Sequence, residues 1–364
     1  MIYKIAAFYF FYFAAIGVYV MYMPSLLEGL GYSPFEIGII FAAGPLSRFI
    51  APFFFISRFH LNRATFYTGL TVSTLCSLLI YVFIREFWIL LGLMVVLGFF
   101  WSIMLPFIEV LALEKIQKEN YGKARLFGSV GFILIGLLLG RGALELDLSM
   151  QMYIAAIAST MGVGLMLGRY IEKDIVRAKV TFTFRGARYF LWSGLFLVQV
   201  GFGFFYNFFT IHELENGVTL AVISYLWTFG VLAEIIMFRW QRFVMQWDLL
   251  VLIQVSVLLG AFRWLMIYLF PDTTPVLYIS QSIHAFNFAL LHTASIAYIS
   301  TVYQNRQLAQ QFYAGITFGL GAFVGSLISG SLYGERLFLY ASLITFAAFI
   351  LLLFEKRSVS RAEY

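Results

Sequence analysis

Six titratable side chains stand inside long apolar segments of this sequence, and they are the residues best placed to do chemistry. They are Arg48, Glu109, Glu234, Arg263, His284 and His292. An ionised side chain in hydrocarbon is costly, so such residues mark ion and solute pathways. Carboxylates and imidazoles exchange protons, and guanidinium groups bind carboxylates through paired hydrogen bonds. The pattern therefore predicts proton transfer and solute binding inside a membrane.

Glu234 is the residue on which this prediction depends most. It interrupts residues 224–240, a segment that is apolar over most of its length. Burial in an apolar cavity favours the protonated form of a carboxylate, whereas a nearby cation favours the ionised form. A proton carrier needs both influences, one in each conformation. We predict that Glu234 takes the proton; the alternative is a structural ion pair with Arg48 or Arg263 that does not titrate.

His284 and His292 share a single apolar segment. Eight residues correspond to about 80° around an α-helix, so both side chains can border one cavity. Because histidine titrates near neutrality, the pair suits a proton relay, although His292 is equally suited to packing or hydrogen bonding. A metal site is not expected, because no third ligand has matching spacing.

The elements that position these residues are membrane helices. The chain is 62% hydrophobic and only 12% charged, against about 25% charged residues in a soluble domain. A helical crossing needs about 20 apolar residues, and we predict twelve spans. These are roughly 5–27, 35–57, 64–84, 87–112, 124–142, 149–168, 189–211, 219–238, 249–270, 275–302, 310–333 and 337–354. The first is interpreted as a retained span, and the single cysteine, Cys76, excludes an intrachain disulfide.

The distribution of basic residues predicts the orientation. Of the 24 lysine and arginine residues, those in loops opposite the N-terminus are Arg85, Arg141 and Arg336, and two more lie within spans. Positive charge accumulates on the cytoplasmic side of a membrane, so we predict that both termini lie in the cytoplasm. The membrane is predicted to be a bacterial inner membrane. The net charge of +6 is scattered over many loops, so no nucleic-acid partner is expected.

An internal repeat divides the chain into halves. Residues 44–48, GPLSR, align with residues 230–234, GVLAE, placing Arg48 opposite Glu234 in the repeat. Two sets of six spans in the same orientation are typical of transporters. We therefore predict an all-α membrane protein with parallel six-helix bundles at 1–168 and 189–364, joined by a cytoplasmic linker at 169–188 and acting as a monomer.

Several segments resemble the lactose permease branch of the major facilitator superfamily. They are FYFFYFAAIGVYVMYMPSLLEGLGYSPFEIGII at 8–40 and FIEV with YGKARLFGSVGF at 107–132. Three further segments are closer to its phenylpropionate-permease-like and nucleoside:proton symporter-like relatives: LGAFRW at 259–264, SIHAFNFALLHTASIAYI at 282–299 and GVLAEIIMF at 230–238. The resemblance implies a twelve-helix transporter with a central cavity and proton-coupled symport.

The same resemblance implies roles for individual residues. Glu109 and Arg125 match the permease's sugar-binding acid–base pair, and Phe132 matches its stacking tryptophan. Arg263 and His284 match its coupling residues. Two positions depart from the pattern: Asn287 replaces the proton-carrying glutamate, and Ser57 replaces the acidic residue of the loop after the second span. These departures place the predicted proton site at Glu234 and the histidines.

The predicted function is uptake of a small organic solute with a proton. The coupling residues are Glu234, His284 and Arg263. The predicted substrate cavity comprises Arg48, Glu109, Arg125, Phe132, Tyr206, Asn287 and His292, although Glu109 and Arg125 could form only a gate. The solute is an aromatic or other organic acid, or else a nucleoside or sugar. The sequence is also compatible with a drug-efflux antiporter and with a membrane scaffold or sensor. Phosphate loops, nucleophile elbows and Cys/His clusters are absent from the sequence, so neither enzyme activity nor a cofactor is expected.

Overall fold

The computed structural model describes residues 1–57, 62–142, 144–171, 188–303 and 306–355, with the backbone alone for 52–57, 118–119 and 307. All regular structure in these ranges is helical. The helices are α1 (Ile2–Met21), α2 (Met23–Gly29), α3 (Pro34–Ser57), α4 (Arg63–Val82), α5 (Phe87–Lys115), α6 (Lys118–Leu139), α7 (Leu146–Gly168), α8 (Tyr189–Glu215), α9 (Leu220–Val244), α10 (Leu249–Leu269), α11 (Thr274–His284), π1 (Ala285–Leu290), α12 (Leu291–Val302), α13 (Arg306–Ala314), π2 (Gly315–Gly321), α14 (Ala322–Ser331) and α15 (Leu337–Leu353).

These helices match the predicted spans. Within the described ranges, eleven helical runs are long and apolar enough to cross a membrane, and α15 is a shorter apolar helix at the position of the twelfth span. The first span is not a single helix as predicted. It breaks at Tyr22, and Pro24 lies in the first turn of α2, where a residue without an N–H group is tolerated. The Tyr22 hydroxyl lies 2.7 Å from the Ser224 Oγ.

The chain forms two compact units, and the first comprises residues 1–178 and 206–228. In it α1 packs against α6 and α7, α3 against α5, and α4 against α5 and α7. Its core contains Phe8, Phe66, Met104 and Ile108, all with no exposed surface. Residues 172–187 lie outside the described ranges, so the predicted bundle boundaries and linker stay predictions.

The contact between α1 and α6 depends on a glycine. A Cβ atom at Gly131 would collide with the backbone carbonyl of Phe10, and backbone cannot move aside as a flexible side chain can. Small residues are the usual means by which membrane helices approach this closely. The identity of residue 131 thus sets the distance between two helices of the first unit.

We expect Gly131→Ala to lower the thermal stability of the purified protein, because overpacking of this kind costs roughly 1–3 kcal/mol. Gly162→Ala is the matched control: Gly162 lies inside α7, and a Cβ there meets no atom within 4 Å. Alanine inside a helix is favoured over glycine by roughly 0.5–1 kcal/mol. In thermal unfolding in detergent, the melting temperature of Gly131→Ala should therefore lie below that of the wild type and that of Gly162→Ala above it. Equal melting temperatures of the two variants would contradict the close approach.

The second unit comprises residues 179–205 and 229–364. Here α10 packs against α11, π1, α12 and α15. The first part of α8 approaches α14 at two glycines, since a Cβ at Gly203 would meet the backbone of Gly325 and one at Gly325 would meet that of Val200. Trp264 and Phe338 are fully buried and stack at a centroid distance of 6.1 Å.

Two runs of the second unit contain π-helix, which the sequence did not predict. Segment π1 joins α11 to α12 directly after His284, and π2 joins α13 to α14. Short π segments inside α-helices are rare and frequently mark functional sites. The 80° angle predicted between His284 and His292 assumed a regular α-helix, so it does not apply across π1.

Candidate functional site

Arg263 is the innermost charged residue of the site. It lies on α10 with no exposed surface. Its Nη1 donates a hydrogen bond to His284 Nδ1 at 2.8 Å, and its Nη2 donates to Gln281 Oε1 at 2.9 Å. The guanidinium carbon lies 4.3 Å from the centre of the Phe205 ring and 4.4 Å from that of Trp264. Aromatic faces attract cations, so both rings stabilise the buried charge.

His284 connects this cation to the carboxylate. Its Nε2 lies 2.7 Å from Glu234 Oε1. A guanidinium has donors only, so His284 Nδ1 must accept and the ring proton must be on Nε2. The imidazole is therefore neutral in this arrangement, and its Nε2–H donates to Glu234. Glu234 reaches Arg263 through the imidazole, which differs from the direct pair considered from the sequence.

Burial falls from one end of this group to the other. Arg263 is fully buried, the His284 side chain is 6% exposed and the Glu234 side chain is 17% exposed. Glu234 is thus the least buried member of the group. We call Glu234, His284 and Arg263 the coupling triad; its three members come from α9, α11 and α10.

Gly230 allows α9 to approach α11 beside the triad. A Cβ there would lie 3.2 Å from Gln281 Oε1 and 3.5 Å from His284 Cδ2. This glycine is one turn before Glu234, so it holds the carboxylate at the height of the imidazole. Gln281 is buried and was not predicted as a site residue; only a polar residue in an apolar segment signalled it.

Aromatic rings enclose the imidazole. Phe288 stacks on His284 at a centroid distance of 5.2 Å, and Phe202 and Phe205 each lie at 5.9 Å. Such surroundings have a low dielectric constant and strengthen every interaction between charges. A change in the ionisation of Glu234 therefore acts strongly on Arg263.

Glu109 and Arg125 form an ion pair in the first unit, joining α5 to α6. Arg125 Nη1 lies 2.5 Å from Glu109 Oε1, and the guanidinium carbon lies 5.8 Å from the centre of the Tyr9 ring. Their side chains are 43% and 34% exposed, arginine first. The pair predicted from the resemblance is therefore formed and accessible; its binding of a solute stays a prediction.

Two other predicted cavity residues belong to an aromatic group in the first unit. Trp227 stacks with Tyr206 at a centroid distance of 6.2 Å and meets Phe132 edge-on at 6.4 Å. The Trp227 indole N–H donates to Thr210 Oγ1 at 3.2 Å, which fixes the ring. Trp227 was not predicted, because a tryptophan in an apolar span has no distinctive sequence signal. We call Phe132, Tyr206 and Trp227 the ring site.

The remaining predicted residues lie apart from the triad's hydrogen bonds. Arg48 is exposed on α3. Asn287 lies on π1 and is 1% exposed. His292 lies on α12, with its Nδ1 3.3 Å from the Tyr313 hydroxyl. The side chain of Ser57 is outside the described set.

The seventh span, predicted as roughly 189–211, extends a few residues further and includes His212 and Glu213. Helix α8 continues to Glu215, and both residues are buried within it. His212 Nδ1 lies 3.0 Å from Glu213 Oε1. The polar residues His212 and Glu213 therefore belong to the buried face of α8. Across the described ranges, no group of three His, Cys, Asp or Glu side chains could hold a metal ion.

Comparisons with known proteins agree on one class. The family model described as "MFS_1 like family" matches residues 2–342. The "Probable 3-phenylpropionic acid transporter" of Escherichia coli (strain K12) is 26% identical over 371 residues, covering 94% of this chain and 95% of that protein. The nucleoside transporter NupG has the same fold, with a TM-score of 0.80 at 15% identity over 98% of this chain and 99% of NupG.

A more distant structure has this fold too. An auto-inhibited peptide transporter of the POT family matches with a TM-score of 0.74 at 11% identity, covering 100% of this chain and 98% of that one. Identities this low show the fold alone. The relatives named here are membrane transporters and not enzymes.

Proposed function

The chain belongs to the MFS_1-like family of the major facilitator superfamily, and we propose that it imports a small organic acid together with a proton by alternating access. That it is a multi-pass membrane transporter and not an enzyme follows from the family and its relatives. The coupling ion, the solute and the direction are the proposal, as are the location in a bacterial inner membrane and the monomeric state.

The coupling triad is the observation that carries this proposal. In the arrangement described, ionised Glu234 and Arg263 balance each other through a neutral imidazole. Protonation of Glu234 removes the negative charge and leaves the buried guanidinium uncompensated. A monoanionic solute bound in the transporter then restores the balance. Counting only the triad and the bound solute, the charges sum to zero in the empty and in the fully loaded transporter, but not when only the proton or only the anion is bound.

This balance is a physical basis for symport. An uncompensated charge inside a membrane protein is costly. A transporter with only the proton or only the anion bound therefore changes slowly between the conformations that open to the two membrane faces. The empty transporter and the fully loaded one make this conformational change most readily. One proton then moves with each monovalent anion, and a proton gradient drives accumulation of the acid.

The ring site supports an acid that carries an aromatic ring. Phe132 and Tyr206 are partly exposed beside the buried Trp227 in the first unit, and aromatic pairs contribute roughly 0.5–1.5 kcal/mol beyond the area they bury. Arg48 supplies an exposed guanidinium group for a carboxylate, whereas that of Arg125 is already paired with Glu109. The similar Escherichia coli protein is described as a 3-phenylpropionic acid transporter, which fits a ring joined to a carboxylate.

Uptake into proteoliposomes tests this function. We expect 3-phenylpropionate to accumulate when the vesicle interior is alkaline, and accumulation to stop when a protonophore removes the gradient. The neutral amide, 3-phenylpropanamide, keeps the ring but cannot balance Arg263, so we expect no accumulation of it. Propionate keeps the charge without the ring and should compete about tenfold more weakly, the upper end of one aromatic contact. Gradient-independent uptake, or equal accumulation of acid and amide, would refute the proposal.

A further inference from the structure

A small cavity lies within the second unit, next to the coupling triad but outside its hydrogen bonds. Its volume is about 20 Å³, counted as space for the centre of a water molecule. Its polar lining consists of Gln199, Asn287, His292, Tyr313 and Thr317. Both π segments contribute, since Asn287 belongs to π1 and Thr317 to π2. We call it the π cavity.

The size and lining of the π cavity fit one water molecule. A water needs roughly 10–15 Å³ by this measure and two to four polar partners. Asn287 is 1% exposed, and its Oδ1 has no hydrogen-bond donor among the residues that the structure describes. A buried amide oxygen without a donor is costly, and a water in the cavity removes that cost. The described lining contains no carboxylate, so a metal cation there would lack a counter-charge.

The π cavity also lies near two histidines. Phe288 lines it and stacks on His284 at 5.2 Å, so one ring separates the cavity from the triad. His292 also lines the cavity; it is partly buried, and its Nδ1 lies 3.3 Å from the Tyr313 hydroxyl. The cavity is thus lined by His292 and by the ring that covers the buried imidazole of the triad.

We propose that the π cavity binds one ordered water, held by the Asn287 amide oxygen, and that this water relays the proton between the triad and His292. A proton arriving on the water oxygen releases a different proton to His292, so the water is regenerated. In the described arrangement both His284 nitrogens are engaged, Nδ1 by Arg263 and Nε2 by Glu234, so the transfer requires one of these hydrogen bonds to break and the Phe288 ring to move aside. The relay rests on the proposed symport, whereas the water site does not.

Radiolytic footprinting of the full protein in detergent tests the water site directly. An X-ray pulse converts a bound water into a hydroxyl radical that oxidises its neighbours. We expect Tyr313, which is 5% exposed, to be labelled at least fivefold faster than Tyr153, which is 4% exposed and does not line the cavity. Labelling of Tyr313 should fall to that of Tyr153 in Asn287→Leu, which removes the accepting oxygen. Equal labelling of the two tyrosines in the wild type overturns the water site.

A second variant keeps the test independent of how Asn287→Leu folds. Thr317→Val has nearly the same shape and removes a hydroxyl that donates to the Tyr313 carbonyl oxygen at 2.7 Å. We expect it to reduce Tyr313 labelling as well, because the water loses a polar neighbour. Unchanged labelling in both variants would show that the radical comes from elsewhere and would overturn the site.

Transport by His292→Gln tests the relay. We expect proton-driven uptake of 3-phenylpropionate to fall about tenfold relative to solute counterflow, which needs no net proton release. An unchanged ratio of uptake to counterflow overturns the relay while the labelling result decides the water site. Absence of proton-driven uptake in the wild type would instead refute the proposed symport and, with it, the relay; the labelling would still decide the site.

Discussion

Replacement of Glu234 by glutamine is expected to abolish proton-driven accumulation of the solute while solute counterflow continues. Glutamine resembles the protonated carboxyl group in shape and charge, so the variant imitates a transporter that has already taken its proton. It can accept the His284 Nε2–H through its side-chain oxygen, which preserves the hydrogen bond seen at 2.7 Å. It cannot lose a proton, so the gradient no longer acts on the cycle.

The size of this effect follows from the gradient applied. One pH unit corresponds to about 1.4 kcal/mol, or tenfold in concentration. With an imposed difference of about two units, one-to-one coupling accumulates the acid about a hundredfold at equilibrium, whereas the uncoupled variant should reach no excess over the outside. Uptake by Glu234→Gln should also lose its dependence on external pH.

Glu335→Gln is the matched control for this experiment. It makes the same chemical change at an exposed position before α15, and we expect accumulation at the wild-type level. His284→Ala should be less severe than Glu234→Gln, since it removes the bridge but leaves the carboxylate. Wild-type accumulation by Glu234→Gln would place the proton carrier elsewhere, with Glu109 and His292 the next residues to test.

The class and fold of this protein could be predicted from its sequence because both depend on properties summed over many residues. About twenty apolar residues are needed for each crossing, and runs of that length were visible at every position where the structure has a long helix. The all-α prediction and the resemblance to the major facilitator superfamily are confirmed. Span ends were less predictable, as the break at Tyr22 and the extension of α8 to Glu215 demonstrate.

The candidate site could be predicted in part, because a charge in an apolar span is itself a signal. Glu234, Arg263 and His284 were selected on that ground and are joined by hydrogen bonds in the structure; their role in coupling stays a prediction. Gln281 and Trp227 carry no such signal. The π segments were not predictable either, since a shift from i→i+4 to i→i+5 hydrogen bonding leaves no fixed residue pattern.

The His212–Glu213 pair shows the opposite error. The predicted span ends near residue 211, before these two polar residues, although their side chains are only 6% and 0% exposed. Hydropathy averaged over a window cannot tell a polar residue in a loop from one that pairs inside a helix bundle. The distinction depends on which residues of other helices lie opposite, and that information is not local.

The second large effect is expected at Arg263. Arg263→Gln removes the charge that balances ionised Glu234 in the described arrangement of the triad, and loss of one partner from a buried ion pair costs about 3–5 kcal/mol. The lower end applies here, because Glu234 is 17% exposed. We expect a marked fall in the melting temperature of the purified protein.

The double variant Arg263→Gln with Glu234→Gln separates charge balance from packing. With both charges gone, the triad is neutral again, and replacement of a whole buried pair is often close to neutral for stability. We expect the double variant to recover most of the melting temperature lost by Arg263→Gln, yet to show no proton-driven uptake. Arg239→Gln is the control, since Arg239 is an exposed arginine on α9 and its loss should leave the melting temperature unchanged. If the double variant is as unstable as Arg263→Gln, the guanidinium stabilises the fold through Phe205, Trp264 and Gln281 rather than through the charge of Glu234, and the neutral cycle proposed for symport loses its basis.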